Sequence, residues 1–164
     1  CDPLVIFRRL IVHSCEDVGM ADPNALVVAS SALTAFEKIG APEGLIPLSS
    51  AIIYVCEAEK SNSVILAMDA AKRAAREVRD DNIPPYLKDN SFGDRDAKAQ
   101  SKNYKYPHNY GGWVRQQYLP DSLKDEVFYR PQGRGFEKTV AEVRRRKGMP
   151  DDTRADPPQG IPHP

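Results

Sequence analysis

The chain has 164 residues, of which 41% are hydrophobic and 28% charged, a balance that lets one domain bury its own core without disulfides or a structural metal. Its 23 basic and 23 acidic residues cancel, which excludes attraction of nucleic acid or membrane by the net charge of the whole molecule. The charge is uneven along the chain: residues 1–85 carry −4, residues 86–150 carry +6 and residues 151–164 carry −2. The basic part can therefore either dock on the acidic first half or meet a partner.

The cysteines and the uncharged runs favour a cytosolic protein without a membrane segment. Cys1, Cys15 and Cys56 form no C-x-x-C pair, so we expect free thiols rather than a disulfide framework or a zinc site. The longest uncharged runs, Pro23–Phe36 and Gly44–Cys56, are shorter than the roughly 18 residues that a membrane span requires. The chain does not begin with methionine, and we expect it to be a piece of a longer protein.

Apolar residues recur at spacings of three and four through the first half and predict helices. Gly19 can end the first of them in a left-handed C-cap, and Asp22 followed by Pro23 is typical of the start of the next. The second helix is apolar all round, which predicts a central position in the fold. Ser61 or Asn62 can cap the fourth helix. We expect the four helices at residues 4–18, 23–39, 47–59 and 62–78.

The second half of the sequence is less regular. Polar residues dominate residues 92–105 and predict an exposed loop. We then expect a short helix over residues 122–126, a final helix over residues 136–147 and a polyproline-like tail. These patterns predict a helical domain at residues 1–147 and a Pro-rich tail at residues 148–164. Within the domain we expect a helical core, a loop with a Tyr-rich strap, and a C-terminal helical part, at residues 1–85, 86–120 and 121–147.

The motifs of nucleotide chemistry and metal chemistry are missing from the sequence. No glycine is followed by lysine, so a P-loop cannot form and we expect the chain not to bind ATP. Residues 65–69 imitate a Walker B strand, but Ala70 follows the aspartate and the helical period continues, so we interpret them as helix. No histidine has a partner at metal-ligand spacing. Cys56 beside Val55 is typical of a buried core cysteine rather than a nucleophile. We expect no catalytic residue, cofactor or metal in this chain.

Aromatic and basic residues alternate in the Tyr-rich segment, residues 102–118, and allow two interpretations. The favoured one is a structural strap that buries Trp113 and several tyrosines on the helices and hydrogen-bonds His108, which is then no catalytic base. The alternative is a platform on which nucleic-acid bases stack. The basic run Arg144–Lys147 likewise suits the C-terminal dipole of a helix better than a binding patch. The candidates for nucleic-acid contact are Lys102, Lys105, Tyr106, His108, Trp113 and Arg115.

Short motifs spread over residues 1–147 resemble one known family. The first group is Asp2-Pro3-Leu4, Arg8-Arg9-Leu10, Ser14-Cys15-Glu16-Asp17-Val18-Gly19 and Ala21-Asp22-Pro23. This group resembles the DPLxxxRRLxxxxSEDxGxADP stretch that opens the C-terminal domain of the replication-associated recombination protein A family. These proteins are MgsA/RarA-type AAA+ ATPases related to Werner helicase-interacting protein. Further matches follow in the expected order at residues 44–48, 60–62, 104–108 and 116–120.

The resemblance implies an all-α helical bundle similar to the clamp-loader collar, a post-AAA+ oligomerisation domain, with the irregular Tyr-rich segment packed on it. It implies a homotetramer whose DNA-dependent ATPase module, with ATP and Mg, lies upstream in the same polypeptide. The parent protein would act in DNA replication, recombination and repair at stalled forks, in the cytoplasm at the nucleoid, with single-stranded-DNA-binding protein and DNA as partners. Two segments depart from the family: residues 94–103 lack the expected glycines, and the tail after Met149 has no counterpart.

Overall fold

A computed structural model describes residues 2–78, 83–87 and 103–149 of the chain. Every regular element in these ranges is a helix or a helical turn and none is a strand, which confirms the predicted all-α fold. The chain divides into two compact units. Of the described residues, the first unit contains residues 2–69 and 128–149, and the second unit contains those between 70 and 127. Most of the exposed loop predicted at residues 92–105 and of the Pro-rich tail lies outside the described residues. The α-helices are α1 (Pro3–His13), α2 (Asn24–Ile39), α3 (Leu45–Glu57), α4 (Ser63–Glu77) and α5 (Phe136–Arg146).

The first helix is shorter than its sequence pattern predicts. The Asp2 carboxylate accepts the backbone N–H of Leu4 at 2.9 Å and caps α1. The α-helix ends at His13, and the chain continues as a π-helical turn at Ser14–Val18. The predicted continuous helix over residues 4–18 is therefore wrong in its last turn. Apolar residues keep their spacing of three and four through a single π-helical turn, so periodicity alone did not distinguish this turn from an α-helical one.

The start of α2 follows the prediction and also ties α2 to α3. One carboxylate oxygen of Asp22 accepts the backbone N–H of Asn24, the first residue of α2, at 3.0 Å, while Pro23 occupies the N-cap position. The other carboxylate oxygen accepts the hydroxyl of Tyr54 on α3 at 2.8 Å. This hydrogen bond to a carboxylate raises the pKa of Tyr54, because it stabilises the neutral phenol. Helix α3 itself begins at Leu45, two residues before the predicted start at Pro47.

The core of the first unit forms where α1, the π-turn, α2 and α3 meet. Phe7 is completely buried and its ring centroid lies 5.4 Å from that of Phe36. Alanines supply the buried positions of α2, and Val28, Leu33 and Phe36 of the same helix pack, partly buried, against this core. Helix α2 contacts α1, the π-turn and α3, which confirms its predicted central position within the first unit. The buried cluster consists of Phe7, Leu10, Val18, Ala25, Ala29, Ala32, Leu48, Ala51 and Val55.

The C-terminal helix, itself part of the first unit, is attached to the rest of that unit by a polar clasp between residues 59–63 and 132–138. The Glu59 carboxylate accepts the backbone N–H of Gly135 at 2.9 Å. The Asn62 side-chain oxygen accepts from the Gln132 amide at 2.5 Å. Ser61 also accepts the Ser63 backbone N–H at 3.3 Å, which confirms the predicted cap of α4. The clasp therefore fixes the start of α4 and the start of α5 together.

Glu137 lies at the centre of the clasp with no exposed surface. Its carboxylate accepts the hydroxyls of Ser61 at 3.0 Å and Ser63 at 2.5 Å, and the backbone N–H of Gln132 at 2.8 Å. The Tyr129 hydroxyl adds a longer contact of 3.4 Å. Burial first, and then the charge and hydrogen bond of Glu137, raise the pKa of Tyr129, because both disfavour the phenolate. A buried charge of this kind is tolerated only where donors surround it.

The described part of the second unit contains the second half of α4, followed by irregular backbone with single 3-10 turns. The Tyr86 hydroxyl donates to the carbonyl oxygen of Gln117 at 2.6 Å and joins two of its segments. The short helix predicted at residues 122–126 is present only as a 3-10 turn at Asp121–Leu123. In the part of the chain that the structure describes, no helix combines the length and the apolar character that crossing a membrane requires.

Candidate functional site

Large aliphatic side chains lie exposed on α2 and α3, and we call them the outer surface. Ile46 and Ile53 on α3 are 71% and 63% exposed. They are seven residues, or two turns, apart and therefore lie on one face of that helix. Val27 on α2 is 60% exposed, and Leu26 and Leu45 are also exposed. Exposed aliphatic residues grouped on neighbouring helices are typical of an interaction surface rather than of scattered surface positions.

The outer surface carries no charge over most of its length, because it coincides with the uncharged runs Pro23–Phe36 and Gly44–Cys56. Most polar side chains of these runs are small hydroxyls, and two of them are already satisfied within their own helices. Ser49 donates to the carbonyl of Leu45 at 2.9 Å, and Thr34 donates to that of Ser30 at 3.1 Å. Covering this surface would bury no charge and would leave these hydroxyls paired, so its desolvation costs little.

Cys56 lies at the edge of the outer surface, three residues after Ile53. The structure shows it exposed, so the prediction of a buried core cysteine is wrong. Cys15, in the π-turn, is half-buried. The buried stripe of α3 runs instead through Leu48, Ala51 and Val55.

The predicted nucleic-acid residues lie in the second unit, except Lys102, which is outside the described residues. Lys105, His108 and Arg115 are exposed, and Trp113 is half-buried. The ring of Tyr106 lies 5.0 Å from that of His108 between centroids. The structure thus brings this pair together on the surface, and the prediction that His108 is enclosed and hydrogen-bonded is wrong.

The tyrosines of the segment are more exposed than a structural strap requires. The exposed fractions are 38% for Tyr104, 53% for Tyr106, 54% for Tyr110 and 48% for Tyr118. The prediction that several of them are buried is therefore wrong. Their phenol rings present apolar faces to solvent in a stretch that a packing role does not explain.

The side chain of Gln116, a residue of the family motif at residues 116–120 that is not among the predicted contact residues, organises the segment. Its amide oxygen accepts the backbone N–H of Lys105 at 3.1 Å, and its amide nitrogen donates to the Lys105 carbonyl at 2.8 Å. The same nitrogen contacts the Tyr118 hydroxyl at 2.7 Å. The Gln116 amide thus pairs with both backbone groups of Lys105, as the backbone of a neighbouring β-strand would, and fixes the backbone around Lys105. The periodicity of the sequence does not predict this side-chain-to-backbone hydrogen bond, because it joins residues eleven positions apart.

In the basic run Arg144–Lys147 at the end of α5, the first residue contacts an aromatic ring and the other three are exposed to solvent. The guanidinium of Arg144 lies 5.2 Å from the centroid of the Tyr129 ring, a cation–π contact. Arg145, Arg146 and Lys147 are exposed at the helix C-terminus. There they complement the negative end of the helix dipole, as the sequence analysis predicts.

These helices and motifs belong to the C-terminal helical domain of a class of AAA+ ATPases. The family model described as "MgsA AAA+ ATPase C terminal" matches residues 1–147, and the chain therefore belongs to this family. The resemblance inferred from the short motifs is thereby confirmed.

Curated relatives agree with the family assignment. The chain is 43% identical over 140 residues to "Replication-associated recombination protein A" of Bacillus subtilis, a match that covers 84% of this chain and 33% of the relative. It is 34% identical over 143 residues to the protein of the same name from Escherichia coli K12, covering 86% and 32%. It is 29% identical over 131 residues to "ATPase WRNIP1" of Dictyostelium discoideum, covering 79% and 15%. The chain spans about a third or less of the length of these relatives.

Proposed function

We propose that this chain is the self-association domain of a AAA+ ATPase of replication-associated recombination, and that it holds four subunits together. The AAA+ module of the same polypeptide would bind ATP and Mg and carry out DNA-dependent hydrolysis. This chain would contribute no catalytic residue, since its sequence contains no phosphate-binding G-K-[ST] motif. The assembled protein would act at stalled forks in the cytoplasm, at the nucleoid, with single-stranded-DNA-binding protein and DNA as partners.

The outer surface is the observation that carries this proposal. Val27, Ile46 and Ile53 are each 60% exposed or more, and full burial of one such side chain stabilises an assembly by about 1.5–3 kcal/mol. A second copy of the chain offers the same uncharged, aliphatic surface. Self-pairing of identical patches is the commonest geometry of soluble homo-oligomers. Leu26 and Ile39 of α2 add further exposed aliphatic surface, whereas Val28 and Leu33 of the same helix pack against the core.

Cys56 is a native probe of this surface. We expect its alkylation by N-ethylmaleimide to slow as the protein concentration rises, in proportion to the associated fraction, because a second copy covers the end of α3. Cys15 serves as an internal reference, since it lies in the π-turn and not on α2 or α3. Mass spectrometry of the peptides gives the two rates separately.

Ile53→Glu is the control for this labelling experiment. It places a charge on the outer surface, and we expect the alkylation rate of Cys56 in this variant to stay independent of concentration. If the native chain associates while Cys56 keeps one constant rate, another surface forms the assembly and the assignment of the outer surface fails.

A further inference from the structure

The Tyr-rich segment combines exposed rings with two exposed cations and no acidic residue of its own. Residues 103–120 contain no aspartate or glutamate, whereas Lys105 and Arg115 are exposed. Four tyrosines in the same stretch are 38–54% exposed. The outer surface of α2 and α3 is different in kind, since its runs are uncharged and aliphatic. The two surfaces therefore fit different partners.

The segment is held in place before any partner arrives. The side chain of Gln116 fixes both backbone groups of Lys105. The backbone N–H of Gly112 donates to the Pro107 carbonyl at 2.9 Å and closes the turn that carries Tyr110. A surface whose backbone is already ordered loses less conformational entropy when it binds.

We infer that the Tyr-rich segment binds single-stranded nucleic acid. Bases would stack on the exposed rings of Tyr106 and Tyr110, and phosphates would contact Lys105 and Arg115. Unpaired bases expose the faces that a tyrosine ring stacks on, whereas a duplex hides them. An acidic peptide would use the two cations, but its aspartate and glutamate side chains carry no aromatic ring to stack on the tyrosines, so the combination favours a nucleic acid. This inference is independent of the proposed self-association.

The test is fluorescence anisotropy of a labelled oligothymidine titrated with the complete 164-residue chain. We expect Tyr106→Ala to weaken binding by about 5- to 100-fold through loss of one stacked base, and Tyr106→Phe to keep the native affinity because the ring remains. We expect the Lys105→Ala, Arg115→Ala double variant to reduce the slope of log affinity against log salt by about 1.4, the value for two phosphate contacts on a single strand. Lys124→Ala is the matched control, an exposed cation of the same unit outside the segment.

Four outcomes would overturn the inference. They are an absence of oligonucleotide binding, equal weakening by Lys124→Ala, an unchanged affinity in both Tyr106→Ala and Tyr110→Ala, and tighter binding of an acidic peptide or of a duplex than of the single strand. A change of light-scattering mass in Tyr106→Ala would show instead that the segment is a contact between copies. Because Tyr106 and Tyr110 are both more than half exposed, we expect their alanine variants to keep the native melting temperature.

Discussion

Replacing Glu137 with alanine lowers the free energy of unfolding by about 3–5 kcal/mol, an expected loss that is large for a single charged residue. The carboxylate is the acceptor for the hydroxyls of Ser61 and Ser63 and for the backbone N–H of Gln132. The alanine variant leaves these donors facing a buried cavity without their acceptor. An unsatisfied buried donor costs about 1–3 kcal/mol, and several are created at once.

Urea denaturation followed by far-UV circular dichroism measures this loss. The single tryptophan, Trp113, lies in the other unit and is a poor reporter of the clasp. Glu142→Ala on the same helix is the control, because Glu142 is exposed and its removal should change stability by no more than about 0.5 kcal/mol. Equal effects of the two substitutions would show that the clasp does not hold α5 in place.

Gly135→Ala is the second substitution with a large expected effect. Gly135 has a φ of +48°, and an added Cβ would overlap the carbonyl oxygen of Ala21 and lie 3.0 Å from its carbonyl carbon. Both the left-handed backbone and the clash with rigid main chain oppose a side chain there. We expect a loss of about 3–5 kcal/mol, the sum of backbone strain and overpacking.

Gly133→Ala separates the two contributions. Gly133 has a φ of +70° but open space around the position of a Cβ. We therefore expect this substitution to cost only the backbone strain, about 1–2 kcal/mol. The same urea denaturation compares the variants. Equal losses at the two positions would mean that Ala21 and Gly135 are not in close contact in solution.

The helices were predictable because their signals are local. Asp22 and Pro23 indicated where α2 starts, and Ser61 indicated where α4 starts. The apolar period of residues 136–147 indicated the position of α5. The family was predictable for a related reason, since its motifs are runs of adjacent residues. Neither inference needs to know which distant segments meet. The boundary between the helical domain and the tail, at residues 147 and 148, stays a prediction.

The features that the sequence did not indicate depend on partners far along the chain. Glu137 is buried because it meets Ser61 and Ser63, 76 and 74 residues away. Val27 and Cys56 are exposed because other residues of α2 and α3, among them the alanines, form the buried side of each helix. A helix that is apolar all round gives no signal in its sequence for which side is buried. Composition alone did identify the Tyr-rich segment. It could not show whether its rings are buried, because that depends on the backbone held by Gln116.

The central claim, self-association through the outer surface, is tested most directly by multi-angle light scattering of the complete chain at tens of micromolar. We expect the native chain to have the mass of a multimer, and the Ile46→Glu, Ile53→Glu double variant that of a monomer with unchanged circular dichroism. Both isoleucines are more than 60% exposed, so the charges should not unfold the single chain. Thr139→Glu, an exposed position on α5, should keep the native mass. A native chain of 18.3 kDa at this concentration, or a double variant with the native multimeric mass, would contradict the account.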